Sequence, residues 1–121
     1  MKFKQVSFAE YKDILYPLFE RHWAEIVTDD KAIPIILDLE VYNTLEKDGK
    51  FITIVAEVDD KPVGYVCYVL SKLRHFAPGI VAQTDAIFLS PEYRGGRNAL
   101  NMLLFAEKVL LIYRLILLQR M

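Results

Sequence analysis

Lys2 and Lys4 alternate with Phe3 and Gln5, a period of two that predicts a first strand over Lys2 to Val6. Ser7 then stands as an N-cap with Glu10 three residues on, the spacing of a capping box. Ile14, Leu15, Leu18, Phe19, His22 and Ile26 recur at helical spacing, so a helix is expected to about Val27, kinked or divided at Pro17. Asp29 to Pro34 reads as loop, and a second helix is expected from Ile36 to Glu46, stopped by Asp48-Gly49. Apolar runs from Phe51 and from Tyr65 flank the turn residues Asp59-Asp60-Lys61-Pro62, which predicts a β-hairpin with a bulge near Gly64. Leu73 to Gly79 is loop, Ile80 to Leu89 a fourth strand, and a main helix follows from Gly96.

The junction of that strand and helix carries the chemistry. Pro91-Glu92-Tyr93-Arg94-Gly95-Gly96-Arg97-Asn98-Ala99-Leu100 places adjacent glycines and arginines where a helix begins. The first N–H groups of a helix lack intrahelical partners and lie at the positive end of its dipole, an arrangement that receives phosphate. Glycines let a ligand approach the backbone, and arginines add charge-assisted hydrogen bonds about twice as strong as neutral ones. These residues predict a cradle for a diphosphate.

Strand, Pro-Glu-Tyr-Arg-Gly, glycine-rich turn and long helix together resemble the GNAT superfamily of acyl-coenzyme A-dependent N-acyltransferases. Phe51 to Glu57, Lys61 to Gly64 and Tyr65 to Leu70 are similar to that family's central hairpin, and the likeness spans roughly Lys2 to Leu110. The family's turn runs Arg/Gln-x-x-Gly-x-Gly/Ala; here Arg97 stands where the middle glycine falls, as in an arginine-bearing turn of small phage and bacterial members. Its side chain points either at phosphate or outward. The resemblance implies an α+β fold, a mixed and largely antiparallel sheet flanked by helices. It also implies acetyl-CoA as co-substrate, an amine acceptor, and direct attack of the amine on the thioester with no covalent enzyme intermediate. Cofactor contacts would come from the main chain of Ile87, Phe88 and Leu89, with an N–H near Leu89 polarising the carbonyl, and from Arg94, Gly95, Gly96, Arg97, Asn98 and Ala99.

An amine of pKa about 10.4 must lose a proton first, and holding it neutral at pH 7 costs about 4.6 kcal/mol. Asp85, on the fourth strand and sharing a face with Gln83, is the preferred base, acting through water; an edge-facing or paired carboxylate is the alternative. His22 and Glu25, from the helical region where the family lines its acceptor site, and His75, in the loop before the fourth strand, are assigned to the substrate. For His22 and its neighbour Trp23 the competing reading is half-buried packing, and for His75 a solvated loop side chain.

With 121 residues the chain fits one domain with its own core. Fifteen basic against 16 acidic residues leave a formal charge of −1, which gives no field for a nucleic-acid partner. The lone cysteine, Cys67, excludes an internal disulfide, suits a reducing cytoplasm and reads as a core thiol. Two histidines and one cysteine without ligand spacing predict no metal, and the seven tyrosines lack the basic platform that base stacking needs. The opening residues lack the apolar core of a secretion signal. The apolar tail from Val109 to Leu118 is interrupted by Arg114 and falls short of the ~20 residues of a membrane span.

The family pattern continues past the main helix with a fifth strand, a further helix and a hairpin, including a tyrosine that protonates the departing thiolate. Met121 is reached before that region, so the domain reads as incomplete at its C-terminus, and Tyr113 lies too early to take the tyrosine's place. From Arg97 no glycine or proline intervenes, and continued helix of about 36 Å is expected. Its apolar tail suggests a homodimer contact. Two functions follow: an acetyl-CoA-dependent N-acetyltransferase, or a non-catalytic GNAT-like remnant that binds CoA or self-associates.

Overall fold

The computed structural model describes residues 1–26, 37–72 and 80–119, with side chains to 112. The predicted loops over Asp29 to Pro34 and Leu73 to Gly79, with His75, lie outside the described residues, as does the side chain of Tyr113.

In chain order the elements are β1 (Lys2–Val6), α1 (Phe8–Ile26), α2 (Leu39–Lys47), β2 (Phe51–Val58), β3 (Lys61–Lys72), β4 (Ile80–Leu89), a 3₁₀ turn (Pro91–Tyr93) and α3 (Asn98–Gln119). The strands form one antiparallel sheet in the order β1-β2-β3-β4, so β1 and β4 are its edges among the described residues. Strand side chains alternate between faces. Ile52, Ile54, Ala56, Val66, Tyr68 and Leu70 pack on one face with Met102 and Ala106 of α3. Phe51, Val55, Tyr65 and Cys67 pack on the other with Phe8, Leu15, Leu18 and Phe19 of α1. The sheet is thus the middle layer of three, which agrees with the expected α+β class.

Several local rules hold with adjustments. α1 is continuous through Pro17, which lies on its exposed side, while Ile14 and Ile26 also face solvent and the true buried stripe is Phe8, Leu15, Leu18 and Phe19. Ser7 Oγ accepts from the Glu10 N–H at 3.4 Å, half of the expected capping box. The stronger cap comes from α2. Glu46 accepts from Ser7 Oγ at 2.9 Å, Phe8 N–H at 2.7 Å and Ala9 N–H at 3.2 Å, a carboxylate placed at the positive end of the α1 dipole. α2 is capped at its start by Asp38, whose side chain accepts from Val41 N–H, and is followed after its C-cap Asp48 by Gly49 with φ 72°.

The central hairpin turns more tightly than predicted. Asp59 and Asp60 both hold positive φ (52° and 63°), the signature of a two-residue type I′ turn, and Lys61 and Pro62 already belong to β3. The bulge falls beside Gly64: Ala56 pairs with Gly64 and Glu57 with Pro62, leaving Val63 as the extra residue. Gly64 is required by contact. A Cβ there would lie 2.7 Å from the Phe88 carbonyl oxygen and 2.8 Å from Leu89 Cδ1.

Gly64→Ala is therefore expected to lose stability by about 1–3 kcal/mol, since a backbone oxygen cannot step aside as a side chain can. Gly95→Ala, where an added Cβ meets nothing within 4 Å, should stay within about 0.5 kcal/mol of the parent. Urea midpoints of the two variants measure the contrast; equal midpoints would refute the close-approach argument.

Candidate active site

β4 leads from the hairpin to the glycine turn. Ser90 N–H donates to Val63 O at 2.8 Å, so alternation directs the polar backbone groups of Phe88 toward β3 and those of Ile87 and Leu89 to the open edge. Phe88 is buried against Tyr65, whereas Ile87 is 41% exposed on the α3 face. One register slip interrupts the β3–β4 ladder: Cys67 pairs with Ala86 and Tyr68 with Thr84, which leaves Asp85 as the residue of a β-bulge. Asp85 and Ala86 consequently both face the α1–α2 side.

They enter a cavity of about 270 Å³. Phe8, Phe19, His22 and Trp23 of α1 form one wall, and Tyr42 of α2 with Leu37 forms another. Phe51, Tyr65 and Cys67 close the sheet side. Tyr42 donates its hydroxyl to Asp85 Oδ2 at 3.0 Å. Burial, and then the neighbouring carboxylate of Asp85, push the Tyr42 hydroxyl up to about 12, so it remains a donor at neutral pH. His22 Nδ1 lies 2.6 Å from Tyr65 Oη. Burial pulls the His22 imidazole below its usual range, Glu25 opposes that shift and Arg94 adds to it, so the ring is neutral at pH 7. Burial also drives the Cys67 thiol up to about 12, consistent with its reading as a core thiol rather than a nucleophile.

The second part of the site is the turn itself. Gly96 holds φ +72°, and space is open around both Gly95 and Gly96. Among the described residues the N–H groups from Gly95 to Ala99 have no protein acceptor; the first helical bond outside α3 proper is Asn101 N–H to Arg97 O. Asn98 Nδ2 donates to Tyr93 O at 3.0 Å and ties the helix start to the 3₁₀ turn. Arg97 is exposed, and its side chain makes no hydrogen bond or ion pair with another described residue.

Arg94 is differently engaged. Its Nε donates to Leu89 O at 2.6 Å, one terminal nitrogen donates to both Glu25 oxygens at 2.7 and 2.8 Å, and the guanidinium lies over the Phe88 ring at 5.4 Å. Arg21 repeats the tie one helical turn earlier, donating to Ser90 Oγ and pairing with Glu92 at 3.3 Å. These arginines lash the C-terminal half of α1 to the turn. Glu25 thus contacts the turn and is not among the cavity's lining residues, and His22 is the expected acceptor residue that reaches the cavity. Tyr42, Tyr65 and Arg21 were not singled out by the sequence. Helical spacing from the Asp38 cap was the one signal that marked the buried side of Tyr42.

Among the described residues no three His, Cys, Asp or Glu side chains converge on a metal-sized site, and no described helix is long and apolar enough to cross a membrane.

Helices thus cover both faces of a sheet whose edge strand runs into a glycine turn at a helix N-terminus. A sequence profile of the Acetyltransferase (GNAT) family matches residues 9–113, and the chain belongs to that family. Acetyl transfer is the chemistry the family is named for. Solved structures share the fold at low identity. An aminoglycoside acetyltransferase from an uncultured soil metagenomic sample, crystallised with trehalose, superposes with TM-score 0.68 at 14% identity, over 89% of this chain and 68% of its own. The ribosomal-protein-alanine N-acetyltransferase of Brucella melitensis biovar Abortus 2308 gives 0.62 at 18% identity, over 89% and 71%. A predicted acetyltransferase of Clostridium acetobutylicum, solved with acetyl-CoA, gives 0.61 at 12%, over 84% and 68%. A search of curated proteins finds no sequence match.

The lowered His22 pKa fixes the sign of a pH effect. The unfolded chain binds the proton more readily, so this contribution to stability is present above about pH 6.5 and is lost as pH falls below it. The His22 NMR titration midpoint should lie below 6.5, move further down in Glu25→Gln and move back up in Arg94→Gln.

Proposed function

We propose that this chain binds acetyl-CoA and transfers its acetyl group to a primary amine by direct attack. The observation that carries this reading is the run of backbone N–H groups from Gly95 to Ala99 without protein acceptors, at a helix N-terminus beside the free edge of β4. The cofactor diphosphate would sit on those amides, with Arg97 as the unengaged guanidinium beside them. Arg94 already serves Leu89 and Glu25, and in this reading its first task is to hold the turn; direct phosphate contact requires it to leave Glu25.

From the turn, the pantetheine arm would run back along the open edge, pairing with the outward backbone groups of Leu89 and Ile87 while Phe88 forms the floor. Leu89 lies about 13 Å along the strand from Asp85 at ~3.3 Å per residue. An N–H at Leu89 is therefore too far from Asp85 to polarise a carbonyl that is attacked beside it. The outward N–H of Ile87, two residues from Asp85, suits that role better. There the amine nitrogen bonds to the acyl carbon, the carbon–sulfur bond breaks, and CoA leaves as thiolate. The amine's proton passes to Asp85, directly or through water, while Tyr42 steadies the carboxylate by donating to its other oxygen.

Calorimetric titration with acetyl-CoA and thiol release with an amine test the two halves. Arg97→Ala should weaken acetyl-CoA binding by about 3–10-fold, the size of one partly screened charge–phosphate contact. Asp85→Asn, at an exposed position that leaves the core intact, should retain acetyl-CoA affinity and lower kcat by about 10²-fold or more. Acetyl-CoA binding that is absent in the parent protein would refute the cradle; unchanged kcat in Asp85→Asn would refute the base.

A further inference from the structure

We infer that the acceptor is a primary monoamine with a single aromatic ring on a short alkyl chain, seated in the cavity between α1 and β4. This rests on the transferase reading of the site but comes from the cavity's own chemistry. Its volume of about 270 Å³ exceeds the ~150 Å³ that holds one benzene. The wall is built of rings already fixed against one another. Phe19 meets Tyr65 edge-on at 5.0 Å and 84°, and Tyr42 lies 5.0 Å from Phe51. Ring faces and edges of this kind accept an aromatic guest and attract a cation placed over them.

Charge sets the number of amines. Among the described lining residues Asp85 is the one carboxylate, and His22 is neutral at pH 7. A single ammonium can pair with Asp85 at the mouth. A second or third positive group carried inward would meet Phe and Tyr side chains with no further carboxylate among the described lining residues, and an unpaired buried charge is strongly disfavoured. The cavity therefore selects against polycations, in contrast to the aminoglycosides named for several structural neighbours.

Trp23, the chain's single tryptophan, lines the cavity and reports occupancy without turnover. Its emission should change saturably with 2-phenylethylamine, with spermidine and an aminoglycoside such as sisomicin binding at least 10-fold more weakly. Asp85→Asn should weaken 2-phenylethylamine by about 10-fold, and Phe19→Leu, which keeps an apolar side chain, should weaken it less than 10-fold while preserving the amine ranking. Spermidine or sisomicin binding as tightly as 2-phenylethylamine, or no saturable response to 2-phenylethylamine, overturns the assignment. The transferase reading fails separately: saturable amine binding without thiol release from acetyl-CoA leaves the cavity's ligand class standing and sinks the reaction. Thiol release with spermidine but not with 2-phenylethylamine does the reverse.

Discussion

The pairing of β3 with β4 is the constraint on which the site depends. Gly64 lets β4 approach without a Cβ in the way, and the Ser90 N–H closes the ladder onto Val63 just before the chain leaves the sheet. Between those ends one extra residue is accommodated, and it is Asp85. Had the strands continued from Gly64–Leu89 without a slip, Asp85 would have stood opposite Tyr68 on the α3 face, away from the cavity. The bulge presents two successive side chains to one cavity. Position on this sheet is thus set by packing at Gly64 and read out as chemistry at Asp85, just past the Cys67–Ala86 pair.

The other face shows how the cavity survives next to a close-packed core. α1 does not seal against β4 along its whole length. Phe8, Leu15, Leu18 and Phe19 are buried, but by Trp23 and Ile26 the helix has drawn away, and its distal half is tied instead to the turn through Arg21 and Arg94. These are exposed pairs, each worth roughly 0–1 kcal/mol, so their role is orientation more than stability. The same ties place the wall of the acceptor cavity and the proposed cofactor turn in mechanical contact.

Much of this was legible in the chain. The alternation at Lys2 to Val6, the Asp-Gly helix stop before Phe51, the Asp59-Asp60 turn and the strand-to-helix glycine junction are local signals, and local physics decides them. Pro17 predicts a kink or a division, and α1 is not divided there; the exposed side on which Pro17 falls is a tertiary fact. The bulge at Asp85 left no mark, since no glycine or broken period announces it. Glu46 as a cap for α1 and Tyr42 as a donor to Asp85 were equally hidden, because each joins residues about forty positions apart. Arg94 was legible as a charge at the turn, but its engagement with Glu25 depends on where α1 ends in space.

Glu46 carries one more consequence. The leading amides of α1 are sheltered by an acceptor that exists in place only once α2 has docked, so the start of the first helix cannot outlast the end of the second. Opening of α2 uncovers them, and solvent deuterium would enter Phe8 and Ala9 no more slowly than α2 opens. A single carboxylate thus makes the first turn of the amino-terminal helix breathe with the end of its successor.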